Sequence, residues 1–300
     1  LEYQATDRKH IKTETWYQVD REKLTQFLPS ARAKKQQELQ AFLLENPQSG
    51  LLKNLRKLFS PAVVSIFLEK ELLHTEEREV SRSAAHFQKE RQDKKLLLNE
   101  EQAAAVAAIC QKIGKEKAQP VLLEGVTGSG KTEVYLKVIE EALGQGKTAI
   151  MLVPEISLTP QVTDRFISRF GDKVAILHSG LSDGEKYDEW RKVERGEAQV
   201  VVGARSAIFA PLTNIGAIII DEEHESSYKQ DSNPRYHARE VALLRARYNQ
   251  AVLVLGSATP SLESRARASR GVYDFLQLTK RANPLAQIPQ VQVVDFRDYI

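Results

Sequence analysis

Residues 125 to 132 read Gly-Val-Thr-Gly-Ser-Gly-Lys-Thr. This is the pattern G-x-x-x-x-G-K-[ST], in which backbone N–H groups close around phosphates, the lysine neutralises charge and the hydroxyl reaches Mg²⁺. Gly125, Gly130, Lys131 and Thr132 fill its fixed positions, and Thr127, Gly128 and Ser129 complete the loop. The apolar run Val121-Leu122-Leu123 precedes it, and Tyr135, Val138, Ile139, Ala142 and Leu143 recur behind it at helical spacing. Strand, glycine loop and helix in that order bring a helix dipole and unpaired N–H groups to the phosphate site. An ordinary glycine turn does not require that order.

From about residue 110 onward, apolar runs alternate with helical patterns. The runs are Ala149 to Val153, Val174 to Leu177, Val200 to Val202, Ala217 to Ile220 and Val252 to Leu255. They are β-branched and apolar on both faces, which suits a parallel sheet covered by helices on each side, an α/β doubly wound domain. Ligands in that architecture bind beyond the carboxyl ends of the strands. Asp221 lies at such an end, where it can hold Mg²⁺ through water, and Glu222 beside it can act as base or orient the attacking water. Upstream, in Asn99-Glu100-Glu101-Gln102, Gln102 can offer a donor and an acceptor to an adenine edge. Asn99 and Gln102 equally fit a helix capping box.

A chain of 300 residues suggests about two domains. A net charge of +3 permits nucleic acid as a partner without demanding it. The single cysteine, Cys110, excludes an internal disulfide or a Cys-based zinc site and reads as a buried, inert thiol. No long apolar window or signal-peptide pattern appears, so a cytoplasmic chain with no membrane partner is expected. The opening Leu1 and the strand-like Val291 to Ile300 suggest an excised piece of a larger protein.

Residues 31 to 80 show helical patterns over Ala33 to Leu44 and Leu51 to Phe59, a third helix opened by Ser60-Pro61, and a strand-like tail from Leu72 to Val80. Three helices and a hairpin predict a small winged-helix domain, with residues 1–30 as a connector. Lys53, Arg56, Lys57 and Lys70 can line DNA or form a solvated face. Glu76, Glu77 and Glu79 in the wing would repel phosphate. Residues 81–97 read as a charged linker, and 98–300 as the nucleotide-binding domain.

Between Glu225 and Arg239, Tyr228 and Tyr236 interleave with Lys229, Arg235 and Arg239. Aromatics beside cations can stack single-stranded bases while holding phosphates, or the tyrosines can merely anchor the loop. Arg205 and Ser206 end another strand and can meet a phosphate backbone. Ser257 and Thr259, in Gly-Ser-Ala-Thr-Pro, can bridge the carboxylates to a DNA-facing side.

A family resemblance becomes specific on these residues. Gln102, the loop Gly125 to Thr132, Val153-Pro154-Glu155-Ile156-Ser157-Leu158-Thr159-Pro160-Gln161, Leu177-His178-Ser179-Gly180, Asp221-Glu222-Glu223-His224 and Gly256 to Pro260 closely resemble superfamily 2 DNA helicases. Within them the match is closest to the bacterial replication-restart (primosomal) helicases. The resemblance implies a P-loop RecA-like first helicase lobe using ATP and Mg²⁺, with 3′ to 5′ unwinding at stalled or abandoned forks. It assigns Lys131, Asp221 and Glu222 to catalysis and Thr132 and Asp221 to the metal. Thr159, Arg205, Ser206 and the Tyr228 to Arg239 loop go to DNA, and Ser257 and Thr259 to coupling. It also implies single-stranded DNA-binding protein and primosome proteins as partners, a monomer, and zinc only in a missing C-terminal part. A fork-remodelling translocase, or a non-catalytic winged-helix module with a nucleotide-sensing domain, are the alternatives.

Overall fold

In the computed structural model, residues 12–79 and 97–282 are described, and the chain divides into two compact units, Leu1–Phe87 and Gln88–Ile300. The expected linker, apart from residue 97, and the strand expected at Val291 to Ile300 lie outside the described residues.

The first unit runs β1 (Thr13–Val19), α1 (Arg21–Gln26), α2 (Lys34–Glu45), β2 (Gly50–Leu51), α3 (Leu52–Leu58), α4 (Pro61–Glu69) and β3 (Leu73–Glu79). Helices α2 to α4 lie close to the spans read from the pattern. The connector does not: β1 is the central strand of an antiparallel sheet ordered β2-β1-β3. It pairs along its length with β3, from Thr13 opposite Glu79 to Val19 opposite Leu73. The expected hairpin is therefore a pairing of distant segments. Its sequence, Thr-Glu-Thr-Trp-Tyr-Gln-Val, hides the strand because little of it is buried. Leu24 of α1 joins Leu39, Leu43, Leu55, Val64 and Phe67 in one core. Ser60 precedes α4 without a side-chain cap bond, leaving Pro61 as the start signal. Lys53 pairs with Glu14 and Lys70 lies over the Phe27 ring, while Arg56 and Lys57 are exposed.

The second unit contains α5 (Glu100–Cys110), β4 (Val121–Gly125), α6 (Lys131–Gly144), β5 (Thr148–Leu152), α7 (Pro160–Phe170), β6 (Val174–Leu177), α8 (Asp183–Glu194), β7 (Val200–Gly203) and β8 (Ile215–Ile220). The short strands β9 (Lys229–Gln230) and β10 (Tyr236–His237) follow, then α9 (Ala238–Asn249), β11 (Val252–Ser257), α10 (Leu262–Ser269) and β12 (Asp274–Leu278). Among the described residues, seven strands form a parallel sheet in the order β12-β4-β11-β8-β5-β7-β6.

Alternate residues of each strand feed the two faces, so the middle of each inner strand is apolar on both, with polar residues such as Thr148, Glu124 and Ser257 at or near strand ends. One core packs Val121, Leu123, Ala149 and Met151 under α5, α6 and α7. The other packs Leu122, Ile150, Leu152 and Ile218 under α8 and α9. The RecA-like α/β class is therefore the observed one. The sequence patterns missed β12 because an edge strand with alternating exposure lacks a continuous apolar run. Cys110 is partly buried, and burial pushes its thiol up to about 11. Among the described residues, no helix is long and apolar enough to cross a membrane.

Candidate nucleotide site

At the carboxyl end of β4 the chain turns and re-enters as α6 at Lys131. Gly128 and Gly130 have φ of 78° and 80°, a region glycine adopts without steric cost. A Cβ on Gly130 would also come within 2.4 Å of Gln102 Nε2, so another residue there would have to displace the Gln102 amide as well as adopt a strained φ. Lys131 Nζ donates to the Gly125 carbonyl at 3.0 Å and stands 3.7 Å from Glu222 Oε1. Ser129 Oγ is buried without a hydrogen-bond partner, and the first N–H groups of α6 have no acceptor within their helix. Those orphaned donors suit an anion, and phosphate fits them.

Opposite the loop, β8 ends at Ile220 and the chain turns sharply through Glu222, whose φ is 45°. A non-glycine residue there stores strain of about 1–3 kcal/mol. Asp221 is gripped twice. Tyr135 Oη donates to its carboxylate at 2.9 Å and Tyr228 Oη donates to its carbonyl at 2.6 Å. Burial, and then the neighbouring Glu222 charge, raise the Asp221 carboxyl above the usual carboxylate range. A divalent cation beside Thr132 and Asp221 would relieve both causes, so the donor set fits Mg²⁺. Gln102, residues 127–132, Asp221 and Glu222 line a single cleft of about 480 Å³.

Behind the carboxylates, Ser257 Oγ lies 2.8 Å from His224 Nδ1 and 3.4 Å from Glu222 Oε2, and accepts the Thr259 N–H at 2.9 Å. This places Ser257 and Thr259 against the acidic turn. Gly256 permits the arrangement, because a Cβ there would sit 1.7 Å from Tyr135 Oη. Gly256→Ala should therefore cost about 1–3 kcal/mol of stability as an overpacked core. Urea unfolding checks this, and an unchanged midpoint would remove the packing argument.

Several expected roles need correction. Gln102 has both ends of its amide engaged: Oε1 accepts the Asn99 N–H at 2.9 Å and Nε2 donates to the Ser129 carbonyl at 2.8 Å. The capping box is present, and the residue ties α5 to the phosphate loop rather than presenting a spare edge to adenine. Tyr228 cannot stack on DNA, being 1% exposed within the core. Arg239 is withdrawn as well, with Nη1 donating to Glu223 Oε2 at 3.2 Å. Arg205 spends Nη1 on the carbonyls of Ser227 and Lys229, at 3.1 and 2.7 Å, and so fastens the loop. Its guanidinium also lies 5.7 Å from the Tyr236 ring. Thr159, Ser206, Lys229 and Arg235 are exposed and Tyr236 is partly so. Lys229 pairs with Asp231 at 2.9 Å.

Three residues escaped the sequence reading. Tyr135 looked like one more apolar residue on α6, yet its hydroxyl holds Asp221. Arg165 on α7 lines the cleft, a placement no spacing announces. Glu223, with its side chain 0% exposed, accepts from the Ser261 N–H at 2.7 Å and the Ser264 hydroxyl at 2.9 Å. A third consecutive acidic residue at a strand end was the available signal.

The chain is 50% identical over 275 residues to the replication restart protein PriA of Bacillus subtilis (strain 168), covering 90% of this chain and 34% of that protein. It is 57% identical over 182 residues to PriA of Synechocystis sp., covering 59% of this chain and 22% of that protein. It thus spans about a third or less of these relatives. A solved structure of RecG bound to a three-way DNA junction is 25% identical, with a TM-score of 0.46, covering 69% of this chain and 26% of that one. The family described as type III restriction enzyme, res subunit, matches residues 95–262, a span that holds the phosphate loop, the acidic turn and the β11 loop. More than half of the chain lies in that span, and the chain belongs to this family.

Proposed function

We propose that this chain is the nucleotide-binding lobe of an ATP-dependent DNA helicase working 3′ to 5′ at stalled or abandoned replication forks, in primosome assembly and replication restart. The observation that carries the reading is the convergence of Lys131, Thr132, Asp221 and Glu222 on one cleft, in a chain half identical to a replication restart protein. Lys131 neutralises the terminal phosphates and Glu222 aligns the attacking water. Thr132 and Asp221 would hold Mg²⁺, which supplies further charge neutralisation at the phosphates.

DNA contact falls to the exposed residues Thr159, Ser206, Lys229 and Arg235 and the half-exposed Tyr236. Arg205 and Tyr228 hold their loop in shape, and Ser257 and Thr259 link that side to Glu222. The first unit serves as a winged-helix domain, with β1 as the central strand of its sheet. Forked and single-stranded DNA are the substrates. Single-stranded DNA-binding protein and primosome proteins are partners by kinship with the relatives above, whose further length is where zinc would belong. The chain acts as a monomer in the cytoplasm.

Hydrolysis by this chain alone should be slow. An arginine finger supplied from another lobe contributes about 10³ to 10⁵ in turnover in nucleotide hydrolases. Phosphate release from MgATP with and without forked DNA, beside a nucleotide-binding titration, should show binding with little turnover. Brisk turnover stimulated by DNA would mean that the chain completes its own site, overturning the partial-motor reading.

A further inference from the structure

Two cations are found among the described residues that line the nucleotide cleft, Lys131 and Arg165. Lys131 is already engaged, between the Gly125 carbonyl at 3.0 Å and Glu222 at 3.7 Å. Arg165 is exposed and makes no hydrogen bond or ion pair with the described residues. The carboxylate of the lining that lies on α6, Glu133, does not serve it, because Glu133 accepts from Arg169 at 2.8 Å. Arg165 is therefore an unmatched positive charge at the rim of the cleft.

The fold fixes where that charge stands. Helices α6 and α7 each leave the carboxyl end of a parallel strand, β4 and β5, so both run from the site edge of the sheet toward its far edge. Arg169 on α7 reaches Glu133 in the first turn of α6. Arg165 lies one turn before Arg169 on the same face of α7, which puts it nearer the site edge and level with the phosphate loop. Strand β5 pairs with β8, which ends at Asp221 and Glu222, whereas α5 and Gln102 lie toward β12. Arg165 thus enters the cleft from the carboxylate side. We propose that Arg165 contacts the third phosphate of a bound nucleoside triphosphate, so that this lobe tells a triphosphate from a diphosphate by its own residues. A guanidinium presents a planar fork that can donate two parallel N–H bonds to one phosphate. The assignment rests on the nucleotide-binding reading above and extends it, since discrimination then needs no second lobe while fast turnover still does.

The test is competition against a fluorescent ADP, with ADP and the β,γ-imido analogue of ATP as competitors, each with Mg²⁺. Arg165→Ala should bind the analogue about tenfold more weakly than the parent and ADP within twofold of it. Arg165→Glu should weaken the analogue further, because it sets a like charge before the phosphate. The position is on the surface, so urea midpoints of both variants should match that of the parent. Equal losses for ADP and the analogue would move Arg165 to the inner phosphates and overturn the assignment. Unchanged binding of both nucleotides, or an Arg165→Glu protein no weaker than Arg165→Ala, would overturn it as well. In each of those cases a large loss in Lys131→Ala keeps the phosphate-loop reading standing. A parent that binds neither nucleotide defeats that reading and this assignment with it.

Discussion

Lys131→Ala should reduce MgATP affinity by about a hundredfold or more in titration calorimetry, because it removes a full charge facing the phosphates in a mostly enclosed cleft. The Lys131 side chain is only 10% exposed and lies between the Gly125 carbonyl and Glu222. It is positioned by the loop itself rather than by a flexible approach from solvent. The substitution creates little new cavity, since the amine faces the cleft. Circular dichroism and the unfolding midpoint should stay near those of the parent. Affinity unchanged within twofold would sink the phosphate-loop assignment, whatever the fold.

The largest effect on stability should come from Glu223→Ala, which strips the mostly buried Arg239 of its enclosed counter-ion, leaving only the exposed Glu240 at 3.7 Å, and takes the acceptor from the Ser261 N–H. Breaking a buried pair by removing one partner costs about 3–5 kcal/mol. Arg239 Nη1 is 3.2 Å from Glu223 Oε2 and the glutamate is fully enclosed, so solvent cannot compensate. Glu223→Gln keeps the shape and some of the hydrogen bonds and should cost less. Pairing Glu223→Ala with Arg239→Met should recover part of the loss. Chemical unfolding of the four proteins measures this, and a deficit below about 1 kcal/mol for Glu223→Ala would show that the cluster is solvated.

These two residues also show where sequence is informative. The placement of Lys131 in the cleft was legible because it depends on neighbours in the chain, and a loop of fixed length dictates its geometry. The placement of Asp221 and Glu222 was legible in a similar way, as the last apolar residue of a strand marks the sheet edge. Glu223, Arg239 and Tyr228 were misread or missed because their roles depend on residues far away in sequence. Arg239 turns inward only because Glu223 and α10 meet it there. Tyr228 turns inward because the Asp221 carbonyl needs a donor. A tyrosine and an arginine in a basic loop look alike whether they face solvent or core. The inner strands were readable because burial on both faces leaves a continuous apolar run, while β1 and β12, each exposed along much of its length, left no such trace.

The two halves of the nucleotide site hang from strands that are not neighbours. β4 carries the phosphate loop, β8 carries the carboxylates, and β11 is threaded between them. Two strand spacings, roughly 10 Å, therefore set the bite of the site, and β11 acts as its gauge block. The gauge is tied to both jaws, since the Glu223 N–H donates to the Gly256 carbonyl at 3.0 Å and Tyr135 on the phosphate-loop helix fills the space beside Gly256. A displacement that widened or narrowed either spacing beside β11 would change the separation of lysine and carboxylate, and the Ser257 to Pro260 segment begins at the end of that strand.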